Sequence, residues 1–176
     1  PSIRKPPFEV PLSISWKVRD IGRPLKGGQK IENDSWIFYG GGDDIWNTND
    51  QFRYAYKKLD TDFCFSIKID SLYIVHQYAK AGLMIRKSLN SNSAHGLVNM
   101  FPSGNTEFGY RTLNGETMKA KSGPQIDLTD ARLKMKKSGK IIEFFNEDLE
   151  LLQEKIARDH GYTVTRHIHQ LFVKKL

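Results

Sequence analysis

The densest set of side chains able to do chemistry lies between residues 40 and 54, in the run GGGDDIWNTNDQFRY. Asp43, Asp44, Asn47, Asn49 and Asp50 gather oxygen ligands of the kind calcium requires. The same residue types dominate ordinary turns, because their side chains bond nearby backbone. EF-type spacing is absent, so turns are the first expectation here and a calcium site the second. Trp36, Tyr39, Trp46, Tyr54 and Tyr56 surround the run. A sugar ring has an apolar C–H face and a hydroxyl edge, so an aromatic platform beside carboxylates, amides and an arginine suits a glycan. Trp36 and Tyr54 fall in strand-like patterns and are expected in the core. Trp46, in the loop, is the candidate ligand contact, with a plug at one end of the fold as its plain alternative.

Hydrolysis of a glycan needs two carboxylates about 5–10 Å apart, one with a raised pKa. Glu107 and Glu116 stand alone, Asp60, Asp62 and Asp70 are singly placed, and no Ser/His/Asp arrangement stands out around His76 or His95. An enzyme is therefore not expected. Toward the C-terminus, His167 and His169 lie two apart and, with His160 and Glu150, form a set able to hold a transition metal. Arg132, Lys134 and Lys136 alternate and so project from one face of a strand. With Lys119, Lys121, Lys137 and Lys140 nearby they could engage a polyanion by counterion release. No aromatics interleave with these cations, which favours an acidic glycan over nucleic acid. A solvated sheet face is the first expectation for these cations, and a polyanion the second.

Antiparallel strands must position these residues. The chain has 176 residues, 39% hydrophobic and 27% charged, with a formal net charge of +7. That length supports one domain, or one domain with an appendage, and buries a core without disulfides. No apolar run approaches the roughly 20 residues needed to span a bilayer, and no membrane partner is expected. The sequence names no compartment. Alternation with period two appears at Ser13–Val18 and Phe63–Leu72, and further strand-like runs at Ser35–Tyr39, Phe52–Tyr56, Lys80–Ser88, His95–Phe101, Glu107–Thr112 and Glu116–Lys121. Asn, Gly, Ser and Pro separate these runs, the signature of a sandwich or barrel. The one cysteine, Cys64, is expected to be a small buried residue. After Gly123-Pro124 the character changes. Ala131–Phe145 reads as a strand pair, or as one long strand interrupted at Ser138-Gly139. Asn146 then caps a helix over 147–160 with acids in its first turn, closed by Gly161, and a last alternating run follows over 162–174.

Two resemblances follow from particular motifs. GGGDDIWNTNDQFRY (40–54), Leu59–Phe63 and AKAGLMIRKSL (79–89), with Trp16, Asp20-Ile21-Gly22, Met100 and Arg111 in order, resemble a branch of the concanavalin A-like lectin/glucanase superfamily over about residues 12–125. The resemblance implies a β-jelly roll whose activity is mostly inferred to be glycan binding. Its glucanase members carry a Glu-x-Asp-x-x-Glu run, which this chain lacks. GKIIEF (139–144), LELLQEKIARDHGY (149–162) and Thr165-Arg166-His167 to Phe172 are similar to the dimerisation segment of the ferric uptake regulator family. That similarity implies self-association and puts Glu150 and His167 at metal-ligand positions. Met135 and Ser138 stand where that family has cysteines, and its DNA-binding half is missing.

These readings set the expectations: a mainly β, antiparallel jelly-roll sandwich over 12–145, with an extended arm over 1–11 and an α/β tail over 146–176. The expected function is non-catalytic carbohydrate binding, possible contacts being Asp43, Asp44, Trp46, Asn47, Asp50, Arg86 and Arg111. The alternatives are a scaffold that forms a homodimer through the tail, and a remnant metal-responsive element at Glu150 and His167. No cofactor is expected apart from the calcium considered above.

Overall fold

A computed structural model describes residues 15–127, 129, 131–139, 141–145, 155 and 157–161. Over these residues the chain is mainly β, in several antiparallel sheets, as the alternation predicts. It forms two compact units. The first contains the described residues up to 58 with Arg86–His95 and Arg111–Met118; the second contains Leu59–Ile85, Gly96–Tyr110 and the described residues from 119 onward.

The first unit holds β1 (Lys17–Ile21), β2 (Gly28–Glu32), β3 (Ser35–Tyr39), β4 (Ile45–Trp46), β5 (Asn49–Asp50) and β6 (Phe52–Tyr56). β2 and β3 form a hairpin closed by Asn33-Asp34, both at positive φ (49° and 62°). Two left-handed residues in a two-residue loop match the strand twist, and Asn and Asp tolerate that conformation best. β1 pairs with β6, and the facing residues Asp20 and Arg53 are joined at 2.9 Å. Arg53 also donates to Gln29 Oε1 at 2.5 Å, which brings the β2–β3 hairpin to this pair. Gly27 permits the approach: a Cβ there would lie 2.5 Å from the Tyr39 carbonyl oxygen and 2.7 Å from Arg53 Cδ.

The second unit holds β7 (Phe63–Ile69), β8 (Ala81–Arg86), β9 (His95–Met100), β10 (Asn105–Arg111), β11 (Lys119–Gln125), β12 (Ala131–Ser138) and β13 (Ile141–Phe145). Only Arg86, His95 and Arg111, each at a strand end, belong to the first unit. One sheet has the order β11-β10-β9-β8 and the other β13-β12-β7. A single apolar core draws on both: Leu83, Val98 and Met100 from the first, Ile69, Ala131, Leu133 and Met135 from the second. On β12 the alternation is clean, with Ala131, Leu133 and Met135 buried and Arg132 exposed. Arg132, Lys134 and Lys136 face Lys68, Ser66 and Cys64 of β7 in register, so the three cations share the outward face.

Several expectations are corrected. Cys64 is exposed, because it alternates with Phe63 and lies on the outward side with Ser66 and Lys68. Trp36 is exposed, its ring edge-on to Trp16, and Tyr54 is half-buried in a stack with Tyr56. The strand expected from Glu116 begins at Lys119 and continues through Gly123-Pro124, which is no turn. Of the tail, Lys155 and 157–159 are helical, and Gly161 at φ +77° turns the chain where expected. Glu150, His167, His169 and the rest of the self-association segment lie outside the described residues.

Candidate functional site

The 40–50 run is built around a hairpin that its turn-rich composition concealed. Ile45 pairs with Asp50 and Trp46 with Asn49 across the two-residue loop Asn47-Thr48, with Asn47 at φ +45°. The pleat then sorts the side chains. Ile45 and Asp50 face inward, while Trp46 (38% exposed) and Asn49 face outward.

Asp50 is fully buried and anchors a charged network. Arg111 grips its carboxylate in a fork, Nη2 to Oδ1 at 2.9 Å and Nη1 to Oδ2 at 3.2 Å. Arg86 Nη2 reaches Oδ2 at 3.4 Å. Both guanidiniums also donate to loop carbonyls. Arg111 donates to Asn47 O at 2.9 Å, Ser93 O at 3.1 Å and Glu116 O at 2.7 Å. Arg86 donates to Ser88 O at 2.7 Å and Asn90 O at 2.5 Å, and its plane lies over the Phe52 ring. Three loops, 45–50, 88–93 and 112–118, are thereby held by two side chains. Backbone bonds add to this: Asp50 N to Ser91 O, Met118 N to Asn47 O and Gly115 N to Asn92 O.

Burial shapes the chemistry. Desolvation lowers the Arg86 pKa, and the adjacent Asp50 carboxylate opposes that shift. Desolvation also lowers His95 below 6.5, with Asp50 and the Ser93 carbonyl opposing and Arg111 and Arg86 reinforcing. His95 is thus a neutral ring at pH 7, with Nδ1 3.2 Å from Ser93 O. Tyr54 is raised above its usual value by burial, with Arg86 opposing.

This geometry corrects the roles expected of three residues. Asp50, Arg86 and Arg111 are not rim contacts; their side chains are 0–2% exposed and their polar atoms are engaged with one another and with loop carbonyls. They position the rim. Of the remaining candidates, Asp43, Trp46 and Asn47 are exposed and Asp44 is half-buried. Several of the oxygens considered for calcium have other partners. Asp44 Oδ1 accepts from Ile45 N at 2.7 Å, Asn49 Oδ1 accepts from Ser91 Oγ, and Asp50 faces the guanidiniums. Among the described residues no group of three His, Cys, Asp or Glu side chains is arranged to hold a metal ion.

The locked loops also present residues that the sequence reading passed over. Asn90, Asn92 and Asn114 are exposed, as is Leu113 at 59%. Their signal was a recurrence of Asn in SLNSNS and TLNGE, which reads as turn chemistry until the loops are brought together. The outward surface of this unit is therefore an indole and several carboxamides on loops fixed from beneath. No family model, curated protein or solved structure matches the chain.

Proposed function

We propose that the protein is a non-catalytic carbohydrate-recognition module of the jelly-roll, lectin-like kind. The observation that carries this reading is the half-exposed Trp46 indole on a hairpin whose backbone is pinned by Arg111. An aromatic face held rigidly binds a sugar ring without first being ordered, so less of the contact free energy is lost. The carboxamides of Asn47, Asn90 and Asn92 supply donors and acceptors for hydroxyls. Asp43 and Asp44 complete the contact set, with Asp50, Arg86 and Arg111 as positioning residues. The Asp50 carboxylate is buried and engaged by two arginines, out of reach of a bound glycan, which supports binding over hydrolysis. A polysaccharide is the natural target for a rim of this kind. The outward cations Arg132, Lys134 and Lys136 support an acidic one.

The test is affinity electrophoresis of the chain and of Trp46→Ala in gels containing a β-glucan, a xylan or polygalacturonate. The reading requires retardation of the wild type by at least one polymer, and weaker retardation of the variant. Retardation by polygalacturonate alone, insensitive to Trp46 and abolished by salt, would move recognition to the β12 cations. Mobility unchanged in every gel would refute carbohydrate recognition.

A further inference from the structure

The second unit has a cleft of its own, about 450 Å³ in volume, with Gln77, Tyr78, Phe101, Asn105 and Ser122 among its lining residues. That size falls within the range of small-ligand sites. Two rings belong to it: Tyr78, 59% exposed, meets Phe101 edge-on with centroids 6.3 Å apart. His76 flanks Tyr78 at 5.6 Å, and the Lys80 ammonium lies 5.7 Å from the Phe101 centroid.

A β-bulge shapes the cleft. Asn105 pairs with Gln125 and Glu107 with Ser122, so Thr106 stands opposite two residues, Gly123 and Pro124. Proline has no N–H to give to the ladder and is tolerated in a strand at such a bulge. Thr106 Oγ1 donates to Pro124 O at 2.6 Å, and a Cβ at Gly123 would lie 2.4 Å from that hydroxyl. Glycine therefore keeps Thr106 tucked in and the cleft open at this point.

We infer that this cleft is a saccharide-binding site, with Tyr78 as the platform for the apolar face of a sugar ring. Hydroxyls and carboxamides both donate and accept, which matches sugar hydroxyls that do the same. A phosphate ligand calls for converging Arg or Lys, yet the lining holds neither and includes the carboxylate of Glu107. A lipid calls for a predominantly apolar lining, whereas the lining here is mixed, with serines, a threonine and amides beside the two rings. The inference rests on the carbohydrate-recognition reading and adds a second place of contact, independent of Trp46.

The experiment is a titration of the wild type, Tyr78→Ala, Tyr78→Phe and Trp46→Ala with soluble β-glucan, xylan and polygalacturonate fragments, followed by calorimetry. Thermal melts check that each exposed substitution leaves the fold intact. The expected result is that Tyr78→Ala loses one binding event of the wild-type isotherm, or weakens it about tenfold, with Tyr78→Phe close to wild type. An isotherm unchanged from wild type in Tyr78→Ala would overturn the cleft, and if Trp46→Ala had weakened binding, the rim reading would stand. Absence of binding by the wild type to all three would overturn both.

Discussion

The two compact units are held by opposite means. In the second, Leu133, Met100 and Ala131 are fully buried among other apolar side chains, and stability there follows from area removed from water. In the first, the most buried side chains include Arg111 and Asp50 alongside Ile21. Its loops are fixed by charge-assisted hydrogen bonds to carbonyls, which are directional where apolar contact is not. A core can be kept by any side chains of suitable volume, whereas three loops presenting polar groups need fixed distances. The difference teaches where to look for recognition: on the surface whose backbone is specified by geometry rather than by packing.

Substitutions can break that contrast. Asp50→Ala leaves two buried guanidiniums without their carboxylate and is expected to cost about 3–5 kcal/mol in urea unfolding. A loss under 1 kcal/mol would show that the network is not what holds the rim. Leu133→Ala, in the apolar core, is expected to cost about 2–5 kcal/mol. It should leave polysaccharide affinity unchanged at temperatures where the variant is folded, whereas Asp50→Ala should reduce it.

Acid sharpens the same contrast. His95 titrates near 6.5 in the unfolded chain and lower in the fold, where burial disfavours its charged form. Protons then bind the unfolded chain more readily, so this contribution is complete above about pH 6.5 and is lost as pH falls toward the folded value. Unfolding free energies measured between pH 7.5 and 5 should fall less steeply in His95→Gln than in the wild type. Parallel slopes would remove His95 from the account.

The smallest effects lie on the surface. Trp46→Ala should change stability by no more than about 0.5 kcal/mol, since the indole is partly exposed and its backbone is held by Arg111. Replacing Arg132, Lys134 and Lys136 by Gln should flatten the salt dependence of any retention by polygalacturonate, with little change in retention by a neutral glucan.

Much of the architecture was legible from strand-like runs bounded by turn residues: β3, β6, β8 and β9 lie close to where those runs put them, and β12 and β13 fall within the strand-like stretch 131–145. What escaped was decided by tertiary contact. β4 and β5 are two residues long, too short for any periodicity, and their order comes from Arg111 and Asp50, distant in sequence. Arg86 and Arg111 stood out only through the motifs of the lectin-like resemblance, and a charge buried in a network reads the same in sequence as one in water. Gly123-Pro124 carries a turn signature, and only the pairing of Asn105 and Glu107 with β11 turns it into a bulge. Cys64 was legible and misassigned, since its neighbours Phe63 and Phe65 already put it on the outward face.

The most direct test of recognition at Trp46 is acrylamide quenching of a chain carrying Trp16→Phe and Trp36→Phe, so that Trp46 is the sole indole. It is read without ligand and with a saturating amount of the polysaccharide that retards the wild type most. Carbohydrate recognition at the rim predicts that the polymer shields the indole and quenching falls. Unchanged quenching while the polymer is bound, or the lack of any polymer that binds, would contradict it.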